Sequence, residues 1–333
     1  MADAQFDVLG IGNAIFDVLA HVEDDYLVRE DLVKGSMRLI DAAEAERLYG
    51  NMGPALRISG GCAGNTASGV ASFGGNAAFI GKVAADTLGE AYGHDMRGFG
   101  VHFDTAALMN GAPTARSMIL ITPDGERTMN TFLGACQDLT VDDIDAAAIS
   151  AARITYLEGY LWDPPAAKEA FRKAADAAHA AGRSVALTLS DSFCVDRYRD
   201  EFLDLVRRDA VDILFANEHE LKALYQTSDL NSAVDAVRAD ATLTAVTLGA
   251  EGSLAVTRDE THHIHAAPVD EVVDLTGAGD LYASGFLYGL ARDADLVTCG
   301  RLGGLAAAEV ISHIGARPQT SLKEIAEQSG IQI

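Results

Sequence analysis

The sequence predicts an α/β fold in which a mostly parallel sheet carries helices on both faces and a small second sheet stands apart. Three observations carry this prediction. Short apolar runs alternate with helical stretches for most of the chain, the pattern of a buried parallel sheet. Two stretches, 15–50 and 107–132, hold strand-like runs with no crossover helices after them. With 333 residues, 49% of them hydrophobic, the chain can bury one large core with a small appendage.

Taken in order, residues 6–12 are apolar apart from Asp7 and read as a first buried strand. A helix of small residues over 63–73, a strand over 77–83 and a helix over 85–98 follow. The alternation resumes with a strand at 154–157, an Ala-rich helix at 166–181 and a strand at 185–189. It continues through a helix at 202–208, a strand at 211–216, helices at 218–225 and 232–238 and a strand at 243–248. The second sheet takes strands 15–22 and 37–40 around a short acidic connector. To these it adds 107–108, 115–122 and 127–132, with Pro123-Asp124-Gly125 as a hairpin turn. The expected core is therefore 1–14, 51–106 and 133–333, and a sheet entering it from 15–50 and 107–132 makes a natural lid. The alternative is an extra antiparallel edge on the main sheet.

Composition narrows the partners. With 49 acidic against 25 basic residues, a formal charge of −24, the chain lacks the basic clusters that nucleic acid or an anionic membrane demands. Backbone donors and one or two arginines can still hold a phosphate. Cys62, Cys136, Cys194 and Cys299 show no C-x-x-C spacing and read as reduced thiols. Residues 1–5 lack a basic leader segment, 6–11 is too short for a signal core, and no apolar run reaches the length of a span. A soluble, cytoplasmic protein is expected.

The most informative stretch is Asp274-Leu275-Thr276-Gly277-Ala278-Gly279-Asp280, which leads into an apolar, small-residue helix. Unpaired amides at a helix start, bared by glycines, form an anion site. A carboxylate held among those donors stays ionised and can take a proton from an alcohol. Phosphate cradle and base side by side point to phosphoryl transfer to a hydroxyl. The plainer reading is a glycine turn whose Asp caps the helix.

Ser59-Gly60-Gly61-Cys62-Ala63-Gly64-Asn65-Thr66-Ala67 is a flexible turn entering a small-residue helix, where the Gly pair lets a ligand approach the backbone. Asn217 and Glu220 open a helix three residues apart, a spacing that fits a capping box as well as a ligand pair. Gly10-Ile11-Gly12-Asn13-Ala14-Ile15-Phe16-Asp17 has Ile where a dinucleotide fingerprint wants its third glycine, which disfavours a dehydrogenase. Gly81-Lys82 fails as a P-loop, and His262, His263 and His265 read as an edge strand rather than a zinc site.

These motifs together resemble the ribokinase-like (phosphofructokinase-B) family of carbohydrate and nucleoside kinases, whose C-terminal signature is D-x-x-G-A-G-D and N-terminal signature G-G-x-x-x-N-x-A. The resemblance spans residues 10–318 and implies a three-layer α/β/α core with a β lid. It places the catalytic base on Asp280, the anion hole on Gly277, Ala278 and Gly279, and a phosphoryl clamp on Arg127. Arg127 otherwise reads as a surface residue. Acceptor contacts fall on Asn13, Asp17, Gly61 and Asn65; Asp17 alone fits a solvated strand position equally well.

The N-x-x-E pair, Asn217 and Glu220, would hold Mg²⁺ and phosphate, largely through water. Thr247, Gly249, Gly252 and Thr276 would border ATP, and Asp274, Thr276, Val310 and Gly315 would line a monovalent-cation (K⁺) site. The segments around Asp17 and Arg127 resemble the adenosine kinase branch. Tyr160 and Trp162, with Met129, Phe132 and Leu133, offer an apolar slot for a purine, or else are core packing. An ATP-dependent nucleoside kinase acting on adenosine is the expectation. A sugar kinase of the fructokinase or ribokinase type and a catalytically silent nucleotide sensor are the alternatives. Either a monomer or a dimer paired through the lid strands is compatible with the sequence.

Overall fold

The computed structural model describes residues 4–331. The outer ends of the core segments 1–14 and 133–333, and the first residues on which the leader reading rests, lie outside it. Fourteen strands follow one another among the described residues. They are β1 (Phe6–Ile11), β2 (Ile15–His21), β3 (Met37–Leu39), β4 (Leu56–Ser59), β5 (Ala77–Ile80), β6 (Val101–His102) and β7 (Ala115–Ile121). The rest are β8 (Arg127–Phe132), β9 (Ala152–Glu158), β10 (Ser184–Thr188), β11 (Ile213–Asn217), β12 (Leu243–Thr247), β13 (Ser253–Thr257) and β14 (Thr261–Ile264).

The nine-stranded main sheet has the order β14-β13-β12-β11-β10-β9-β1-β5-β6. It is parallel from β12 to β6, with β13 and β14 added antiparallel at one edge. Every residue of β1 is buried because helices cover both faces. Val8 points into one apolar cluster with Phe79, Tyr156 and Phe286, while Leu9 points into the other with Trp162, Phe171 and Phe202. Strand order reverses where β1 lies between β5 and β9, so the carboxyl ends there open into a crevice. Behind that crevice, helices Ala278–Leu290 and Leu296–Val310 pack at close range. A Cβ on Gly285 would lie 2.5 Å from the Leu302 carbonyl, so only glycine allows the approach.

The second sheet has the order β3-β8-β7-β2-β4. One of its faces buries Val18, Met118 and Leu120 against Tyr26, Leu27, Ala45 and Leu48 of two short helices. The other face carries Asp17, Ile119 and Met129 toward the crevice of the main sheet. It is a separate sheet and not an edge of the main one.

Several boundaries differ from the sequence reading. Residues 56–59 pair with β2 and belong to the second sheet, not to the core. The short acidic connector holds the helix Asp24–Arg29, whose Tyr26 and Leu27 cover the sheet. Leu108 makes only an isolated bridge to Ala84, so 107–108 is not part of that sheet. The strand expected over 77–83 ends at Ile80, and Val83 turns into the core instead. The histidine strand, Thr261–Ile264, is the outer edge of the main sheet, as its alternation implies.

Candidate active site

The helix Ala278–Leu290 begins at Gly277, which adopts φ +80 as its N-cap. A Cβ there would lie 2.7 Å from that of Ala316, so this corner demands glycine twice over, by conformation and by space. Gly279 faces open space. Among the described hydrogen bonds, Ala278 donates to the Leu275 carbonyl at 3.3 Å, while Gly277 and Gly279 have no protein acceptor. Of the three expected anion-hole amides, two are therefore free.

Asp280 stands in the first turn of this helix and faces the cleft. Its Oδ2 accepts from Asn65 Nδ2 at 2.8 Å, not from the amides of 277–279. Burial pushes its pKa upward, opposed by the Asn65 bond, the Cys62 thiol and the charge of Arg317. This corrects the expectation that backbone donors simply hold it ionised. A raised pKa makes this carboxylate a stronger base than an ordinary aspartate.

Arg127 reaches the corner from the second sheet. Its guanidinium donates to Thr276 Oγ1 and pairs with the buried Asp274. Asp274 also accepts from Thr276 N at 2.8 Å and from Gly315 N at 2.9 Å. With both oxygens engaged and a guanidinium alongside, this carboxylate does not fit a monovalent cation. Gly315 offers it an N–H, and the Val310 side chain lies wholly in the core away from the cleft. That removes the Asp274 carboxylate as a ligand; the expected site at Asp274, Thr276, Val310 and Gly315 would rest on main-chain carbonyls, which these contacts do not involve.

Asn217 and Glu220 both line the cleft and make the capping box. Glu220 N donates to Asn217 Oδ1 at 2.8 Å, and Asn217 N donates to Glu220 Oε2 at 2.9 Å. Burial pushes Glu220 up to about 7. Among the described residues no three His, Cys, Asp or Glu gather as a metal-holding group. Thr247 and Thr276 line the same end, whereas Gly249 and Gly252 do not. Those glycines serve the β12–β13 turn: Gly252 has φ +99, and its Cβ would lie 2.0 Å from the Ile264 carbonyl.

Adjoining the Asp280 corner, Asn13, Asp17, Gly61 and Asn65 converge on the cleft. Asn13 Nδ2 donates to Glu158 Oε1 and Ala63 N to Glu158 Oε2, both at 2.9 Å. The amide oxygens of Asn13 and Asn65 are buried with no partner. Buried polar atoms rarely stay unpaired, so each wants a donor from outside the protein. Asp17 is raised to about 7 by burial first, with Arg317 opposing and Asp280 reinforcing. Gly61, at φ +88, lets the turn pass Asn13, whose carbonyl a Cβ would meet at 2.0 Å.

Met129, Leu133 and Tyr160 line the outer cleft, and Trp162 does not. Trp162 is fully buried between Phe171 and Phe202, with Nε1 donating to Glu201 at 3.0 Å, so its purine-stacking role is corrected to core packing. Three contributors went unread in the sequence. Glu158 ends β9 fully buried and is raised to about 7 by burial; a charge closing an apolar strand was the available signal. Phe193 opens a helix after Ser190, a non-glycine at φ +72, and no local pattern marks it. Arg317 follows the last long helix and is reached only through the fold.

The cleft spans about 700 Å³ between the two sheets. Free amides and an elevated carboxylate in the cleft, with unpaired amide oxygens beside them and Arg127 tied to Thr276 behind the lining, suit a phosphotransferase acting on an alcohol. Residues 43–323 match the pfkB family of carbohydrate kinases, and the chain belongs to that family of ATP-using enzymes. A solved adenosine kinase from Sinorhizobium meliloti is 54% identical, with TM-score 0.92 over 98% of this chain and 100% of that one. A solved probable sugar kinase protein from Rhizobium etli CFN 42 is 53% identical, with TM-score 0.93 over 98% and 99%. The probable chloroplastic fructokinase-6 of Arabidopsis thaliana is 31% identical over 72% of this chain and 64% of its own length. Among the described residues no helix is long and apolar enough to cross a membrane.

Proposed function

We propose that this kinase transfers the γ-phosphoryl group of ATP to the primary 5′-hydroxyl of a nucleoside, converting adenosine to AMP in purine salvage. The outer half of the cleft carries the argument. There Phe193, 63% exposed, lines the cleft together with Tyr160, Leu133 and the second-sheet residues Met37, Leu39 and Met129. The Arg197 guanidinium stacks 4.7 Å from the Phe193 ring and is tied at 3.1 Å to Asp163, so the ring stands on a fixed support. A purine has faces to bury on such a surface, and a bare sugar has none. The name of the Sinorhizobium meliloti structure supports the same reading.

In this scheme the ribose hydroxyls donate to the unpaired Asn13 and Asn65 oxygens and to Asp17. Asp280 takes the proton of the 5′-hydroxyl as its oxygen bonds to phosphorus and the bond to ADP breaks. The Gly277 and Gly279 amides and Arg127 hold charge on the transferring group. Thr247, Asn217 and Thr276 border the nucleotide. Asn217 and Glu220 would hold magnesium, largely through water, and the ion would neutralise phosphate charge. The second sheet, strands β2 to β4 with β7 and β8, acts as a lid that keeps water from the phosphoryl group.

The similarity to a probable sugar kinase and a fructokinase supports a second reading, with a free sugar as acceptor. An acceptor panel with ATP decides. Adenosine should give AMP and ADP in equal amounts, with inosine and guanosine slower and fructose and ribose inert. Product from a free sugar and none from the nucleosides overturns the proposal.

A further inference from the structure

Arg317 is 5% exposed, yet among the described ion pairs no carboxylate oxygen lies within 4 Å of it. A buried cation without a direct counter-ion is expensive to keep, by several kcal/mol for unpaired ions in general. Its donors go instead to backbone and hydroxyl oxygens. Nε donates to the Ser59 carbonyl at 2.9 Å, and Nη1 donates to the Gly64 carbonyl and Ser68 Oγ. The Phe99 ring lies 5.3 Å from the guanidinium carbon, and Met96 Sδ is 3.4 Å from Nη2. Ser59 ends β4 of the second sheet, while Gly64 and Ser68 belong to the helix Cys62–Ser72 of the core. The fork therefore spans the Gly60-Gly61 joint, which Tyr92 also braces by donating to the Gly60 carbonyl at 2.9 Å.

The charge acts through the joint into the cleft. Asp17 packs on the joint itself, since a Cβ on Gly60 would lie 2.3 Å from its Oδ2, while one on Gly64 would lie 3.3 Å from Arg317 Nη2 and 2.8 Å from the Tyr92 hydroxyl; the charge of Arg317 is felt by Asp17 and Asp280. Asp17 in turn faces Arg317, Asp280, Arg127 and Asp274. We propose that Arg317 is a positioning residue of the phosphotransfer site, clasping the joint between the two sheets while its buried charge balances Asp17 across the cleft wall. This rests on the reading that Asp17 holds acceptor hydroxyls. It separates two roles of one side chain: the fork fixes geometry, and the charge sets how readily Asp17 ionises.

Arg317→Lys keeps the charge and loses the fork, whereas Arg317→Gln loses the charge. The Asp17 carboxyl carbon, assigned by its loss in Asp17→Asn, is titrated by NMR in the intact protein without acceptor. The midpoint should rise by about one unit in Arg317→Gln and stay with the wild type in Arg317→Lys. In kinetics, kcat/KM for adenosine in Arg317→Gln should then fall about tenfold more at pH 6 than at pH 8.5. ATP KM should not change. A midpoint unmoved in Arg317→Gln, with only a lower Tm, overturns the proposal, as does an equal rise in both variants. If Arg317→Gln does not fold, Arg317→Lys decides alone. An unmoved midpoint with a raised acceptor KM supports the proposal, and a shifted midpoint sinks it. Should adenosine prove not to be the acceptor, wild-type turnover fails while the NMR titration still stands.

Discussion

The two ends of the cleft are built by opposite means. The proposed phosphate corner comes mainly from one short run, Asp274 to Asp280, through backbone shape, with a left-handed Gly277, two free amides and a carboxylate in the first turn of a helix, and Arg127 joins it from β8. The acceptor end is assembled from side chains at the carboxyl ends of β1 and β9, the turn after β10, the helix after β4 and the facing strands β2 and β8. A site made by local backbone leaves a string in the sequence, and a site made by convergence leaves scattered residues. The first is pinned at Gly277 by conformation and space, whereas the second can be retuned one contact at a time.

The largest effect separating the ends should come from Arg127→Met, which lowers kcat about a thousandfold if the guanidinium holds transition-state charge. Because Asp274 loses its counter-ion, Tm should fall too, so kcat is best taken well below the transition. A kcat within threefold of wild type would return Arg127 to a structural role. Gly277→Ala comes next. Placing Cβ 2.7 Å from Ala316 at φ +80 distorts the corner, and kcat should drop about a hundredfold while adenosine KM holds. Unchanged steady-state kinetics would remove the corner from the chemistry.

At the acceptor end, Phe193→Ala should raise adenosine KM about tenfold, in keeping with an aromatic contact of about 1 kcal/mol plus its buried area. Trp162→Phe should leave KM alone and lower only Tm, since that ring sits in the core. The reverse pattern would exchange their roles.

This contrast also explains what the sequence made legible. The parallel alternation, the separate sheet and the Asp280 corner are local or periodic signals, and all were readable. Trp162 was misplaced because an aromatic two residues from Tyr160 looks the same whether the chain continues as strand or turns; the turn Gly159–Trp162 sends it to the opposite face. Residues 56–59 were assigned to the core because nothing in four residues says which of two sheets they join. Phe193 and Arg317 matter only through what folding brings near them. The Asn217–Glu220 pair shows the limit of spacing, since it is a capping box and lines the cleft at once.

The smallest effect is on stability against pH. Asp17, Glu158 and Glu220 are each raised to about 7 from ordinary values of 3.8, 4.5 and 4.5. Between roughly pH 4 and 7 the folded chain therefore binds protons that the unfolded chain has released. Their contribution is complete below the unfolded values and is lost as pH climbs through 7, so Tm should decline across that window. Asp17→Asn should flatten the decline, and a slope identical to wild type would mean that Asp17 ionises normally.

The most direct measurement is the rate of AMP formation by Asp280→Asn at saturating ATP and adenosine, with ATP affinity determined by calorimetry on the same sample. Asn keeps the shape and the bond to Asn65 but cannot accept the proton, so the rate should fall by about 10²–10⁴ while the ATP Kd stays within twofold. Turnover within tenfold of wild type would show that another group, or none, deprotonates the alcohol.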